Sequence, residues 1–156
     1  MNLDHDYAVH IEWTGNLGSG TRDYRGYSRD HTISAEGNPD ILASSDRTFH
    51  GSAERWNPEE LLLAALSDCH MLSYLHSAVR NGIVVTAYQD DAVGTMRTSG
   101  DGGAFTAVTL RPVVTISAGD PDVALAIHAD AGANCFIASS VNFPVHHEPR
   151  IVVSAA

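Results

Sequence analysis

The chain is expected to fold as an α+β domain, with two main helices packed on antiparallel sheet. Three observations predict it. The N-terminal segment alternates apolar and polar residues with period two; two later segments, one running from Asn57 to Val79 and one opening at Asp120, repeat apolar residues every three or four positions; and glycine-rich turns join the strand-like runs between and after them. The resulting order is β, β, short β, α, β, β, α, β, with helices segregated on sheet rather than alternating with single strands. That order is not thioredoxin-like.

Taken in sequence, Tyr7, Val9, Ile11 and Trp13 alternate with Ala8, His10 and Glu12, which predicts a half-buried strand. The GNLGSGT stretch turns the chain, Tyr27 to Ser34 is expected to return as a partner strand, and AEGNPDILASSDR is expected to be a loop before a short segment near Phe49. The long helix starts sharply. Asn57 can cap the first amides, Pro58 suits the first helical position, and Glu60 stands three residues past the cap. Leu62, Ala65, Leu66, Cys69, Leu72, His76 and Val79 then form one stripe, which predicts an inward Cys69. Asn81-Gly82 supplies the stop.

Ile83 to Met96 is expected to be a strand, SGDGG at 99 to 103 a hairpin turn, and Phe105 to Ser117 the returning strand, with Val108, Leu110, Val114 and Ile116 on one face. Asp120 and Pro121 open the second helix, in which Val123, Ile127, Ala131, Cys135 and Ala138 form the inner stripe. Val145 to Val153 closes as a last strand with His146, Glu148 and Arg150 on one side. No internal repeat or domain boundary is visible, so residues 1–156 are expected to form one domain.

Composition narrows the function. A net charge of -10, from nineteen acids against nine cations, argues against nucleic acid, because phosphate contacts need clustered positive charge. All nine cations are arginines, and Arg22, Arg25 and Arg29 lie together in TRDYRGYSRDH. The first thirty residues hold no apolar run of the signal-peptide kind, and no window approaches a membrane span, so a soluble cytoplasmic protein without membrane contact is expected. In a reducing compartment two cysteines are more often chemical than structural. Cys69 and Cys135, in separate segments 66 residues apart, are neither a CxxC redox pair nor half a zinc finger, but they can serve as a peroxidatic and a resolving thiol.

The sequence NPEELLLAALSDC, followed much later by ADAGANC, resembles the OsmC/Ohr family of thiol-dependent peroxidases over most of the chain. The resemblance implies an OsmC-like fold and an interlocked homodimer with active sites at the interface. It implies that Cys69, ten residues after Glu59, attacks the peroxide, and that Cys135 resolves the product. Where the family usually carries proline after the second cysteine, this chain has Phe136.

A peroxidatic thiol needs a nearby cation or helix N-terminus to hold its thiolate, and an arginine can do so while also holding a peroxide oxygen and a carboxylate. The family supplies an arginine and a glutamate. Glu59 fills the glutamate position, and Arg25, then Arg22, then Arg47 of DRTFHG, are the candidates for the arginine. Asp68 and His70 flank Cys69 without an assigned role. An unbroken helix would hold Glu59 about 15 Å from Cys69 of the same chain, so either the first turn is a bend, with Asn57-Pro58 in a loop that folds back, or the glutamate comes from the partner chain, which the capping signals and the resemblance to an interlocked dimer favour.

The resulting expectation is a peroxidase that reduces organic hydroperoxides in oxidative-stress defence, uses no cofactor, and is recycled by an external dithiol, for instance of lipoyl type. Two other classes are open. One is a metal site built from Cys69, His70, His76, His146 and His147, against which His70 and His76 point about 120° apart on one helix. The other is a non-enzymatic ligand-binding protein that keeps the fold without the reaction.

Overall fold

The computed structural model describes residues 3–154, so residues 1, 2, 155 and 156 of the expected domain lie outside the described residues. The chain forms two compact units, Met1–Leu61 and Leu62–Ala156. In the first, β1 (His10–Trp13), β2 (His31–Ser34) and β3 (Ile41–Ala43) make an antiparallel sheet in the order β1-β2-β3. Both expected strands are shorter than the alternation suggested: β1 begins at His10 rather than Tyr7, and β2 at His31 rather than Tyr27. The Tyr27 end is held instead by side chains, with Arg29 donating to the Tyr27 carbonyl and the Trp13 indole donating to the Ser28 carbonyl. Nor is β1 half-buried in this chain. All four of its residues are exposed.

The expected loop at 35–47 is interrupted by β3, because Ile41 to Ala43 can pair with β2 once the turn at Gly37 (φ 82°) has reversed the chain. Near Phe49 the structure has a single 3-10 turn, Arg47–Phe49, capped by Asp46 accepting from the Thr48 amide at 2.7 Å. The start of α1 (Pro58–Arg80) is as the cap signals require: Asn57 Oδ1 accepts from the Glu60 amide at 2.8 Å, and Glu60 Oε2 from the Asn57 amide at 3.3 Å. The helix stops at Gly82 (φ 69°), where the Ile83 amide reaches back to the Ala78 carbonyl at 2.9 Å.

In the second unit each of the three long strands expected from sequence is split in two. Ile83 to Met96 becomes β4 (Val84–Asp90) and β5 (Val93–Ser99), Phe105 to Ser117 becomes part of β6 (Gly102–Leu110) and β7 (Pro112–Ala118), and Val145 to Val153 becomes β8 (Val145–His147) and β9 (Arg150–Val153). The halves belong to two sheets, β4-β7-β9 and β5-β6-β8. The last two strands join β7 and β6 in parallel, whereas the other pairs are antiparallel. Asp90 sits where the chain changes sheet. Its carboxylate accepts from the Arg111 amide at 2.6 Å and from the Ser67 hydroxyl of α1 at 2.5 Å, and Pro112, lacking an N–H, cannot continue the ladder as a donor.

The expected inner face of Val108, Leu110, Val114 and Ile116 is fully buried. Val108 and Leu110 pack with Leu66, while Val114 and Ile116 pack with Tyr74, Ala78, Ala124, Ile127 and Ala131. The helix α2 (Pro121–Ala133) opens on Asp120, whose Oδ1 accepts from the Asp122 and Val123 amides. It ends earlier than the apolar stripe suggested, because the Asn134 side-chain amide caps the Asp130 carbonyl at 2.8 Å. Cys135 therefore follows the helix instead of lying within it.

Along α1 the core row is Leu66, His70, Tyr74 and Ala78, one residue out of step with the expected stripe. His70 thus falls between the two apolar clusters. It is fully buried, as is nearly all of His128 on α2, and neither imidazole has a charged partner to offset protonation. Burial, with His147 and His128 as like-charged neighbours, pushes His70 from 6.5 down to about 3; burial, with His147, pushes His128 down to about 4. The unfolded chain takes up these protons near 6.5, and the folded chain does so only at the lower values. The stability these residues contribute is therefore complete above about 6.5 and is lost as pH falls toward 4. Thermal melts at a series of pH values should show the midpoint falling across that window, with a shallower slope in His128→Asn. A midpoint constant from pH 6.5 to 4 would contradict the assignment.

Candidate functional site

Shifting the core row of α1 by one residue leaves the cysteine row facing elsewhere. Ala65, Asp68, Cys69, Leu72, Ser73, His76, Ser77 and Arg80 line one wall of a groove of about 650 Å³, and Asn134, Phe136 and Ile137 line the other. Leu72 on this wall is 57% exposed, a large apolar side chain standing among polar ones. Cys69 is half-buried at the edge between the two faces. It is not in the middle of the buried stripe, as its spacing had suggested, because the row beside it also carries large side chains and takes the core.

Cys135 lies beneath the groove, only 1% exposed, and both cysteines are free thiols. Burial pushes its pKa up from 9.0 to about 11, helped by a hydrogen bond with the Cys69 side chain; the Ala138 amide, which donates to Cys135 Sγ at 3.4 Å, works the other way. A thiol held so high is protonated through the neutral range. The Cys69 side chain is thus near enough to Cys135 to raise its pKa, and of the two thiols only Cys69 lines the groove. Phe136, next to Cys135, is 82% exposed on the groove wall.

The remaining expected site residues lie in the first unit. Glu59 occupies the first turn of α1, and its Oε2 is buried with no hydrogen-bond partner among the described residues. Since α1 runs unbroken from Pro58, the first turn is not a bend, and about 15 Å of helix separates Glu59 from Cys69. Arg22, Arg25 and Arg47 are exposed and make no ion pair among the described residues. Arg29 is held in place instead. It stacks over Tyr24 and Tyr27 at 4.5 and 4.1 Å and donates to both of their carbonyls, while Arg55 pairs with Asp30 at 3.4 Å.

Asp68 is exposed on the groove wall, whereas His70 turns into the core and lines no part of the groove. His128 was not singled out by the sequence pattern, although a histidine four residues after Ala124 and three before Ala131 on the inner row of α2 is a signal of a buried polar group. The metal reading fails on geometry. Among the described residues no group of three or more His, Cys, Asp or Glu side chains is placed to hold a metal ion. No helix of the described residues is long and apolar enough to cross a membrane.

Comparison with known proteins follows the same lines as the fold. The profile of the family described as OsmC-like protein matches residues 50–150. Among solved structures, the chain is similar to an OsmC-like protein of unknown function from Vibrio cholerae, at 32% identity over 94% of this chain and 99% of that one, with a TM-score of 0.85. An organic hydroperoxide resistance protein OsmC from Legionella pneumophila is similar at 15% identity over 99% and 100% of the two chains, with a TM-score of 0.65. An organic hydroperoxide resistance protein from Elizabethkingia anophelis, with thiocyanate bound, is similar at 14% identity over 97% and 100%, with a TM-score of 0.67. The last two likenesses concern fold alone. Curated proteins give no match. The profile spans more than half of the chain and agrees with the Vibrio likeness across nearly all of it, so the chain belongs to the OsmC-like family.

Proposed function

We propose that this protein is a thiol-dependent peroxidase for organic hydroperoxides. The observation that carries the reading is a pair of free thiols close enough for one to affect the other's ionisation, of which one is half-buried and lines a groove and the other is buried between residues that line it. The Cys69 thiolate attacks the distal oxygen of the hydroperoxide, the O–O bond breaks, and the alkoxide takes a proton to leave as the alcohol. Cys69 is then a sulfenic acid. The Cys135 thiol condenses with it, water leaves, and the resulting disulfide is reduced by an external dithiol. Leu72, Phe136 and Ile137 suit the organic part of such a peroxide.

Access and protonation assign the roles. In the Cys135→Ser chain, mass spectrometry after one equivalent of cumene hydroperoxide should find one oxygen on Cys69, and Cys69→Ser should lose turnover by orders of magnitude. Oxygen on Cys135 of the Cys69→Ser chain, at the parent's rate, would reverse the assignment. If Cys69→Ser binds a fluorescent acyl ligand unchanged and the parent consumes no peroxide with dithiol present, the groove serves binding alone.

The charged members of the site are proposed to come from a second copy of the chain. Two observations support a homodimer with shared sites: Glu59 is too far along α1 to serve its own Cys69, and its buried Oε2 lacks the cation that would offset its burial. Large apolar side chains on both units, Val9, Ile11, Leu72 and Val79 among them, also stand uncovered in the single chain. Arg25 is proposed as the cation, ahead of Arg22 and then Arg47; all three are exposed and without an ion pair among the described residues. Arg25→Met should slow peroxide reduction by about a hundredfold, with Arg22→Met and Arg47→Met as comparisons. Equal activity in all three would remove the arginine from the scheme.

Sharing has its own test. Inactive Glu59→Ala chains refolded together with inactive Cys69→Ser chains should recover part of the activity, because each heterodimer then holds one site carrying both substitutions and one wild-type site. No recovery, with heterodimers confirmed by mass, would place each glutamate with its own thiol.

A further inference from the structure

The helix α1, which carries Cys69, and α2, which Cys135 follows, meet through a column of rings in the core that peroxide reduction does not use. His70 follows Cys69 on α1 and turns about 100° away from it, into the core. His128 precedes Cys135 by seven residues on α2, and its Nδ1 lies 3.0 Å from His70 Nε2. One turn further along α1, Tyr74 stacks on His128 with ring centres 4.1 Å apart, and its hydroxyl donates to the Ala124 carbonyl at 2.9 Å. His147 of β8 stacks on His70 at 4.3 Å. The backbone of α2 closes on it at Gly132, where a Cβ would stand 2.8 Å from the His147 ring.

Packing alone does not call for these residues. His70 Nδ1 and His128 Nε2 are buried without partners among the described residues, a cost that leucine or phenylalanine would avoid. Whichever nitrogen carries the shared proton, one N–H and one bare nitrogen are left unsatisfied. What the pair supplies is direction. Apolar surfaces can slide past each other, whereas a hydrogen bond between two stacked rings fixes both the separation and the rotation of the helices that bear them.

We infer that the His70–His128 hydrogen bond is a positioning device for the thiol pair, holding α1 and α2 in the register at which Cys69 and Cys135 can join. The inference rests on the reading of these thiols as a redox pair. Neither histidine lines the groove with Cys69, so both are positioning residues rather than catalytic ones.

The test measures thiol pairing without using peroxide. The full chain is equilibrated with glutathione redox buffers, quenched in acid, and its Cys69–Cys135 disulfide counted by mass. His70→Leu, His128→Leu and the double leucine variant remove the bond. His70→Gln and His128→Asn place an amide nitrogen where Nε2 and Nδ1 stood. All three leucine variants should lose about tenfold in the disulfide equilibrium, a shift of about 30 mV for a two-electron couple, and the amide variants should stay near the parent.

The double leucine variant leaves no unpaired imidazole from the pair, so its thermal stability should exceed that of either single one. A disulfide equilibrium still depressed in that variant separates positioning from general loosening. Leucine variants that match the parent, or amide variants that fall as far as the leucine ones, would overturn the inference. A parent that pairs its thiols in glutathione but consumes no hydroperoxide would overturn only the peroxidase reading. A parent that pairs them in no buffer would remove the redox pair itself.

Discussion

One helix, α1, carries both the row that builds the core and the row that lines the groove, and the division between them decides where each side chain stands. One row, Leu66, His70, Tyr74 and Ala78, is covered by the sheets and α2 of its own unit. The adjoining row, with Cys69, Leu72 and His76, is left to line a groove. Cys69 gains its chemistry from standing on the boundary. Deeper in the core it would be inert packing, and further out it would be an ordinary surface thiol. The half-buried position of Cys69 follows from how the helix divides its two faces.

Local signals in the sequence were legible wherever a few neighbouring residues decide the outcome. The cap at Asn57 and Glu60, the stop at Gly82 and the opening of α2 at Asp120 are each closed by hydrogen bonds within four residues or so, and each is where the pattern places it. The strand breaks were not legible, because a strand leaves one sheet for another only when distant partners compete for it. Asp90 draws on Ser67 and Arg111, 23 and 21 residues away, and no window of sequence contains all three.

The site was legible to a similar extent. Both cysteines are distinctive enough to be found from the chain alone, but their spacing placed Cys69 in the wrong row, since two adjacent apolar rows on one helix look alike until something packs on one of them. Cys135 was carried into a helix that Asn134 ends first. His128 escaped notice because a single histidine among alanines announces nothing until its ring meets His70 across the core.

The parallel pairing of the last two strands has a consequence for how the protein is made. β8 joins β6 and β9 joins β7, so both sheets of the second unit stay one strand short until residues 145–153 have been synthesised. Pairings between segments this far apart in sequence form late, because the intervening chain must first be gathered. During that interval Cys69 and Cys135 belong to an unfinished chain whose thiols meet by chance rather than by placement. A growing polypeptide of this design is exposed to premature or mismatched oxidation until its final segment emerges, and a reducing environment during synthesis protects it over that period.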